Sequence, residues 1–122
     1  MYNRKKVILN IQFISTILFI LSLLISLLLN YNEKQKLNNN SIFSDSFVYY
    51  LSLFNKLLIL LLSLIFLYCN YETKKISNDR DILSDINLQI YANYLSIIAA
   101  IIILYVVYKN KDSIIDFSNP NL

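Results

Sequence analysis

The sequence predicts an all-α membrane protein with three transmembrane helices, forming a single membrane domain over residues 1–122. Two observations carry that expectation. Hydrophobic residues fill 57% of the chain, above the usual share of a soluble domain. They are also gathered into three long runs, the first of which has no charge in 23 residues. A helix of a soluble bundle would need polar positions every few residues to make a wet face.

The first span runs over 7–29, past the roughly 20 apolar residues a bilayer crossing needs. It follows Arg4, Lys5 and Lys6, as a signal peptide would. The apolar run is too long for a signal-peptide core, and no Ala-x-Ala-like cleavage site follows, so a retained helix is expected. The second span covers 47–68 and the third 90–108. The connectors, 30–46 and 69–89, are polar, charged and rich in Asn and Ser, which predicts water-facing loops. A tail, 109–122, completes the chain.

Tyrosines bracket the spans. Tyr49 and Tyr50 face Tyr68 and Tyr71 across the second, while Tyr91, Tyr94, Tyr105 and Tyr108 bound the third. This is the pattern of an interfacial aromatic belt. Orientation follows from basic residues near the span ends. Arg4, Lys5, Lys6, Lys74, Lys75 and Arg80 share one side, and Lys34, Lys36, Lys109 and Lys111 the other. The excess places the N-terminus in the cytoplasm or matrix.

Each span carries one polar or small stripe at helical spacing: Gln12, Ser15, Ser22 and Ser26 in the first, Ser52, Asn55, Lys56 and Ser63 in the second, and Asn93, Ser96 and Ala100 in the third. Such stripes are expected to face protein, because lipid offers no hydrogen bonds and small residues let helices approach closely. For the serines, packing with a bond back to their own helix is the simplest role. Gln12 and Asn93 lie near span ends, within reach of water.

Lys56 is different. It lies 6 residues from Tyr50 and 12 from Tyr68, about 9 and 18 Å at a rise of about 1.5 Å per residue. A lysine at the centre of a span costs about 2.5–3.5 kcal/mol on insertion scales. The fifteen Leu, Ile, Val and Phe residues of the same span return roughly 5–9 kcal/mol, so the helix still inserts. Two readings stay open: the stem reaches toward the nearer interface, or the ammonium serves as an ion or proton site or as a charge partner for a neighbouring subunit. No carboxylate lies in any of the three spans, so a carboxylate paired with Lys56 is expected to come from another chain.

Composition excludes much else. The chain has no histidine, one cysteine and no glycine. Histidine metal sites, Ser-His-Asp triads and Gly-rich phosphate loops are therefore ruled out, and Cys69 can neither form an internal disulfide nor hold a metal alone. No catalytic residue, cofactor site or metal site is expected. A net charge of +3, without an arginine-rich stripe, gives no reason to expect nucleic acid, and nothing suggests a soluble small-molecule substrate. Asn39-Asn40-Ser41 fits a glycosylation sequon inside an Asn run, and Cys69 stands at a helix end, where an idle thiol is the expectation and acylation the alternative. Dominance of Asn, Ile, Leu, Lys and Tyr is what an AT-rich organellar or bacterial genome produces.

Two stretches resemble a known family. "KLLILLLSLIF", Lys56 to Phe66, and "LSIIAAIII", Leu95 to Ile103, followed by "YKNKDSIIDF", resemble the second and third helices and the tail of the 4L-type chain, the smallest core membrane subunit of respiratory complex I (NADH:quinone oxidoreductase). The resemblance covers about half the chain. It sets Lys56 and Ser96 where that family carries its two membrane glutamates, Ser63 at a usual asparagine and Ala100 at a glycine. It implies three transmembrane helices, a C-terminus on the matrix side (opposite to the charge count) and a place in a hetero-oligomeric, proton-translocating complex. Lys56 would be one stop on a proton path, since a neutral lysine accepts a proton and a charged one releases it. Asn55, Gln12, Ser15, Ser63 and Ser96 would support it, the serines and Gln12 by holding water. The expected partners are the lipid bilayer and the other membrane subunits. The expected location is the mitochondrial inner membrane, organelle-encoded since no transit peptide precedes the first span, with a bacterial inner membrane as the alternative. Other roles remain open: an accessory subunit of another respiratory complex or ATP synthase, or a stand-alone bacterial or phage protein of holin or immunity type.

Overall fold

The computed structural model describes residues 2–40 and 42–109. These form three helices and no strand: α1 (Tyr2–Leu37), α2 (Asp45–Ile76) and α3 (Arg80–Lys109). All three are long and apolar enough to cross a membrane. The tail from residue 110 onward, with Lys111 and the Ile-Asp pair of the resemblance, lies outside the described residues, as does Ser41 of the sequon.

The helices outrun the apolar spans, so the expectation of loops over 30–46 and 69–89 is corrected. Only 38–44 and 77–79 separate the helices, since the charged ends of α1 and α2 continue the helix beyond the hydrocarbon. The reason is local. Residues such as Glu33, Lys34, Gln35 and Lys36 favour helix as strongly as leucine does, and neither connector contains glycine or proline to stop it. At 36 residues α1 is about 54 Å long, against about 30 Å of hydrocarbon.

The turns are made without glycine. Asn39 takes the left-handed conformation, φ 59°, that ends α1. The Asn40 N–H then donates to the Gln35 carbonyl at 2.9 Å and the Asn39 N–H to Lys36 at 3.0 Å, a Schellman ending in which asparagine replaces the usual glycine. Asn32, buried on α1, closes the turn from inside: its Oδ1 accepts the N–H groups of Ile42 and Phe43 at 2.9 and 3.0 Å. Ser44 caps α2 by accepting from the Phe47 N–H at 3.2 Å, and Lys36 reaches Asp45 across the turn at 2.9 Å. Asp79 opens α3, its carboxylate accepting from the Asp81 N–H at 2.9 Å.

α2 is the middle helix. Both α1 and α3 pack along it, while no Cα of α1 comes within 8 Å of one in α3. The buried positions set the registers. On α1, Ile8, Ser15, Ser22 and Leu29 recur every seventh residue and meet Asn55, Leu62 and Cys69, also seven apart, on the antiparallel α2. On α3, the inward face is Ile86, Ile90, Asn93, Ile97, Ala100, Leu104 and Val107, spaced alternately by four and three. Sevenfold and four-three spacings are those of left-handed helix packing. Tyr49 packs on Val107, and seven residues along each helix from that contact stand Lys56 and Ala100.

Polarity is inverted relative to a water-soluble core. Among the described residues nine hydrophobic and eight polar or charged residues are buried, while Phe13, Leu27, Phe54, Leu61, Leu95 and Ile98 are among many exposed apolar side chains. A soluble protein would not leave such a surface open; a bilayer covers it. The tyrosine belt is largely in place: Tyr50, Tyr68, Tyr71, Tyr91, Tyr94, Tyr105 and Tyr108 are exposed, and the hydroxyls of Tyr71 and Tyr94 meet. Tyr49 is the exception, turned inward onto Val107.

Candidate functional site

The polar stripes of α1 and α2 meet at mid-span. Asn55 is 1% exposed and bonds to two residues of α1 one turn apart: the Ser22 hydroxyl donates to its Oδ1 at 2.6 Å, and its Nδ2 donates to Ser26 Oγ at 2.9 Å. Ser22 and Ser26 are small enough to let α1 approach and polar enough to satisfy the amide. The carboxamide uses one acceptor and one donor in these bonds, so it fixes both the register and the rotation of α1 against α2.

Lys56, the next residue, is 3% exposed. The side chain is covered by protein, in mid-span, at the level of the small Ala100 on α3. Ser52, one turn away on the same face, is fully buried, and its hydroxyl has no hydrogen-bond partner within the chain. Lys56 and Ser52 thus form the α3-facing half of the buried polar group, and Asn55 with Ser22 and Ser26 the α1-facing half.

The remaining expected site residues are distributed differently. Ser15 is buried at the α1–α2 contact. Ser63 is half-buried, and its hydroxyl donates to the Ile59 carbonyl of its own helix at 2.9 Å, the backbone-directed role expected of a serine here. Gln12 is half-buried and lines a cleft at the N-terminal end of α1. Ser96 is exposed, so its expected place on the inward stripe with Asn93 and Ala100 is corrected: Ile97 fills that position, because a face stepping by four and three from Asn93 passes through 97 and 100.

Sequence reasoning missed five participants. Arg4 and Glu72, at the charged ends of their helices, form an ion pair that ties the start of α1 to the end of α2; Lys75 joins it at 3.1 Å. Asn32 looked like part of a polar loop but clamps the turn. Cys69 is 0% exposed, one of the sevenfold positions against α1, so its thiol is not presented at the membrane surface. The sevenfold spacing of 55, 62 and 69 was the signal available for it. Among the described residues no cluster of metal-ligating side chains exists.

Compared with protein-family models, curated proteins and solved structures, the chain shows no significant match to any of them, so the functional reading rests on the three-helix membrane unit and its buried polar group.

Proposed function

We propose that this chain is a small integral subunit of a hetero-oligomeric membrane complex, and specifically the 4L-type proton-path subunit of an NADH:quinone oxidoreductase. The observation that carries the reading is Lys56, enclosed by its own helices in mid-membrane and followed along the same interior by Asn55, Ser22, Ser26 and Ser52. A plain anchor has no use for a buried lysine, which makes insertion of its helix less favourable by about 2.5–3.5 kcal/mol. Ionisable residues inside a bundle are rare, and ion and proton pathways are among the functional sites they mark. The choice of complex rests on the resemblance over the second and third helices.

In this role Lys56 carries the transferable proton, and Ser52 and Asn55 are the polar groups beside it. Asn55 holds α1 in place, while Ser52, with a hydroxyl free within the chain, stands to bond a water next to the lysine. Purification of the tagged chain from its own membranes in a mild detergent tests the assignment. Co-migration with a large complex having NADH:quinone reductase activity is expected, with Lys56→Leu retaining assembly and losing most proton translocation. A homo-oligomer that permeabilises vesicles, or normal pumping by the Lys56→Leu variant, rejects it.

A further inference from the structure

At the N-terminal end of α1, the three helices leave a cleft of about 380 Å³ lined by Gln12 and Thr16 of α1, Phe66 and Asn70 of α2, and Gln89, Ala92 and Asn93 of α3. We propose that this cleft is a lipid-headgroup site that takes an uncharged, hydroxyl-rich headgroup, of the glycosyl-diacylglycerol kind, entering sideways from the bilayer.

Depth is the first argument. Gln12 lies five residues inside the first apolar span, Asn93 three inside the third and Phe66 two inside the second, about 7.5, 4.5 and 3 Å below the hydrocarbon edge at a rise of about 1.5 Å per residue. Asn70 and Gln89 stand just beyond it. The cleft therefore straddles the level where headgroup gives way to acyl chain.

Chemistry is the second. Four carboxamides converge and no charged side chain lines the cleft. Each carboxamide is both donor and acceptor, which matches a hydroxyl that is also both. A phosphate or ammonium here would be a charge without a counter-charge, taken partly out of water. The Nδ2 of Asn93 is buried and has no hydrogen-bond partner within the chain, leaving a donor available for a ligand acceptor. Phe66 supplies an apolar and aromatic wall for the ring or the first methylenes.

Shape is the third. The lining residues come from all three helices and form a local concavity of ligand size. A transmembrane partner helix would instead need a stripe running the length of the span.

The test uses the full chain in nanodiscs of phosphatidylcholine containing equal small amounts of monoglucosyl-diacylglycerol and phosphatidylglycerol, with bound lipid read by native mass spectrometry. The glycolipid is expected to be retained at least tenfold over the other two. Asn93→Leu and Gln12→Leu each reduce that retention about tenfold, Asn93→Gln restores most of it, and Ile98→Ala on the lipid face leaves it unchanged. Equal retention of all lipids, or preference for phosphatidylglycerol, overturns the proposal. So does an Asn93→Leu variant that keeps its glycolipid but changes oligomeric state, which would make the cleft a protein contact. Should Asn93→Leu fail to fold, Gln12→Leu and Asn93→Gln decide on the same readout.

Discussion

Replacing Asn55 with leucine isolates the interaction that orders α1 against α2. The two side chains have the same number and branching of heavy atoms, leucine being the bulkier by its methyl hydrogens, and two interhelical hydrogen bonds are lost: Ser22 to Oδ1 at 2.6 Å and Nδ2 to Ser26 at 2.9 Å. Bonds of this kind inside membranes average about 0.6 kcal/mol and reach about 1.7, because the separated helices also find partners. The stranded serines add little, since each hydroxyl can turn back to a carbonyl of its own helix. Leucine brings no compensating hydrophobic gain, lipid being as apolar as leucine. The expected loss is about 1–2 kcal/mol, or roughly 5- to 30-fold in the folding constant. Reversible unfolding in mixed micelles with increasing dodecyl sulfate, followed by circular dichroism, reads it directly. A cycle combining Asn55→Leu with Ser22→Ala should return a coupling of about 0.6 kcal/mol. Ser63→Ala provides the contrast, because Ser63 bonds only to Ile59 of its own helix and should cost less than about 0.5 kcal/mol. The reasoning is refuted if Asn55→Leu unfolds with the wild type, or if Ser63→Ala is equally damaging.

Other outcomes follow from the same geometry. In a glycosylation-mapped insertion assay of the isolated second span, Lys56→Leu should insert more readily by about 3 kcal/mol, an effect absent for Ser63→Leu at comparable size. Glu72→Gln breaks the ties to Arg4 and Lys75, and its stability relative to wild type should converge at high salt, where the native pair is screened; unfolding at low and high sodium chloride measures this. Asn39→Ala places a β-carbon without a helpful amide at φ 59° and should cost about 1 kcal/mol by the same unfolding assay, whereas Asn39→Gly should not. Cys69 should resist maleimide in native micelles and react once dodecyl sulfate separates α1 from α2.

Much of the fold was legible because lipid imposes a coarse rule: about 20 apolar residues in a row must be a helix, and its polar residues must turn toward protein. Ser15, Ser22, Ser26, Ser52, Asn55 and Lys56 obeyed that rule. The ends of the helices were not legible, because polarity marks where hydrocarbon stops and says nothing of where the backbone stops hydrogen-bonding to itself. Glu72 and Asn32 were lost for that reason: each sits in a segment that reads as loop and is in fact helix, three residues past the sevenfold positions Cys69 and Leu29, on the same inward face. Ser96 failed differently. Its spacing from Asn93 and Ala100 is compatible with one broad face, and only the packing of α3 on α2 shows that the face is narrow and runs through Ile97.

The position of Lys56 joins the architecture to the proposed role. Six residues from Tyr50, its stem is long enough to lean toward the nearer interface. A lysine doing so on the outside of the bundle would be exposed along its stem; Phe54 and Leu57 beside it are exposed in just this way, whereas Lys56 is 3% exposed. The chain has therefore turned this residue inward and placed the smallest inward residue of α3, Ala100, across from it. Burial of that kind costs stability, and hydrophobic residues of similar volume usually replace buried charges at no loss. The proposed role makes use of the proton or charge that this inward lysine carries. The prediction is accordingly asymmetric. Lys56→Met, which keeps the stem and removes the charge, should leave the three-helix unit at least as stable as the wild type while abolishing proton transfer in the complex proposed above. A variant that is both destabilised and fully active would show the reverse, that the ammonium is there for structure alone.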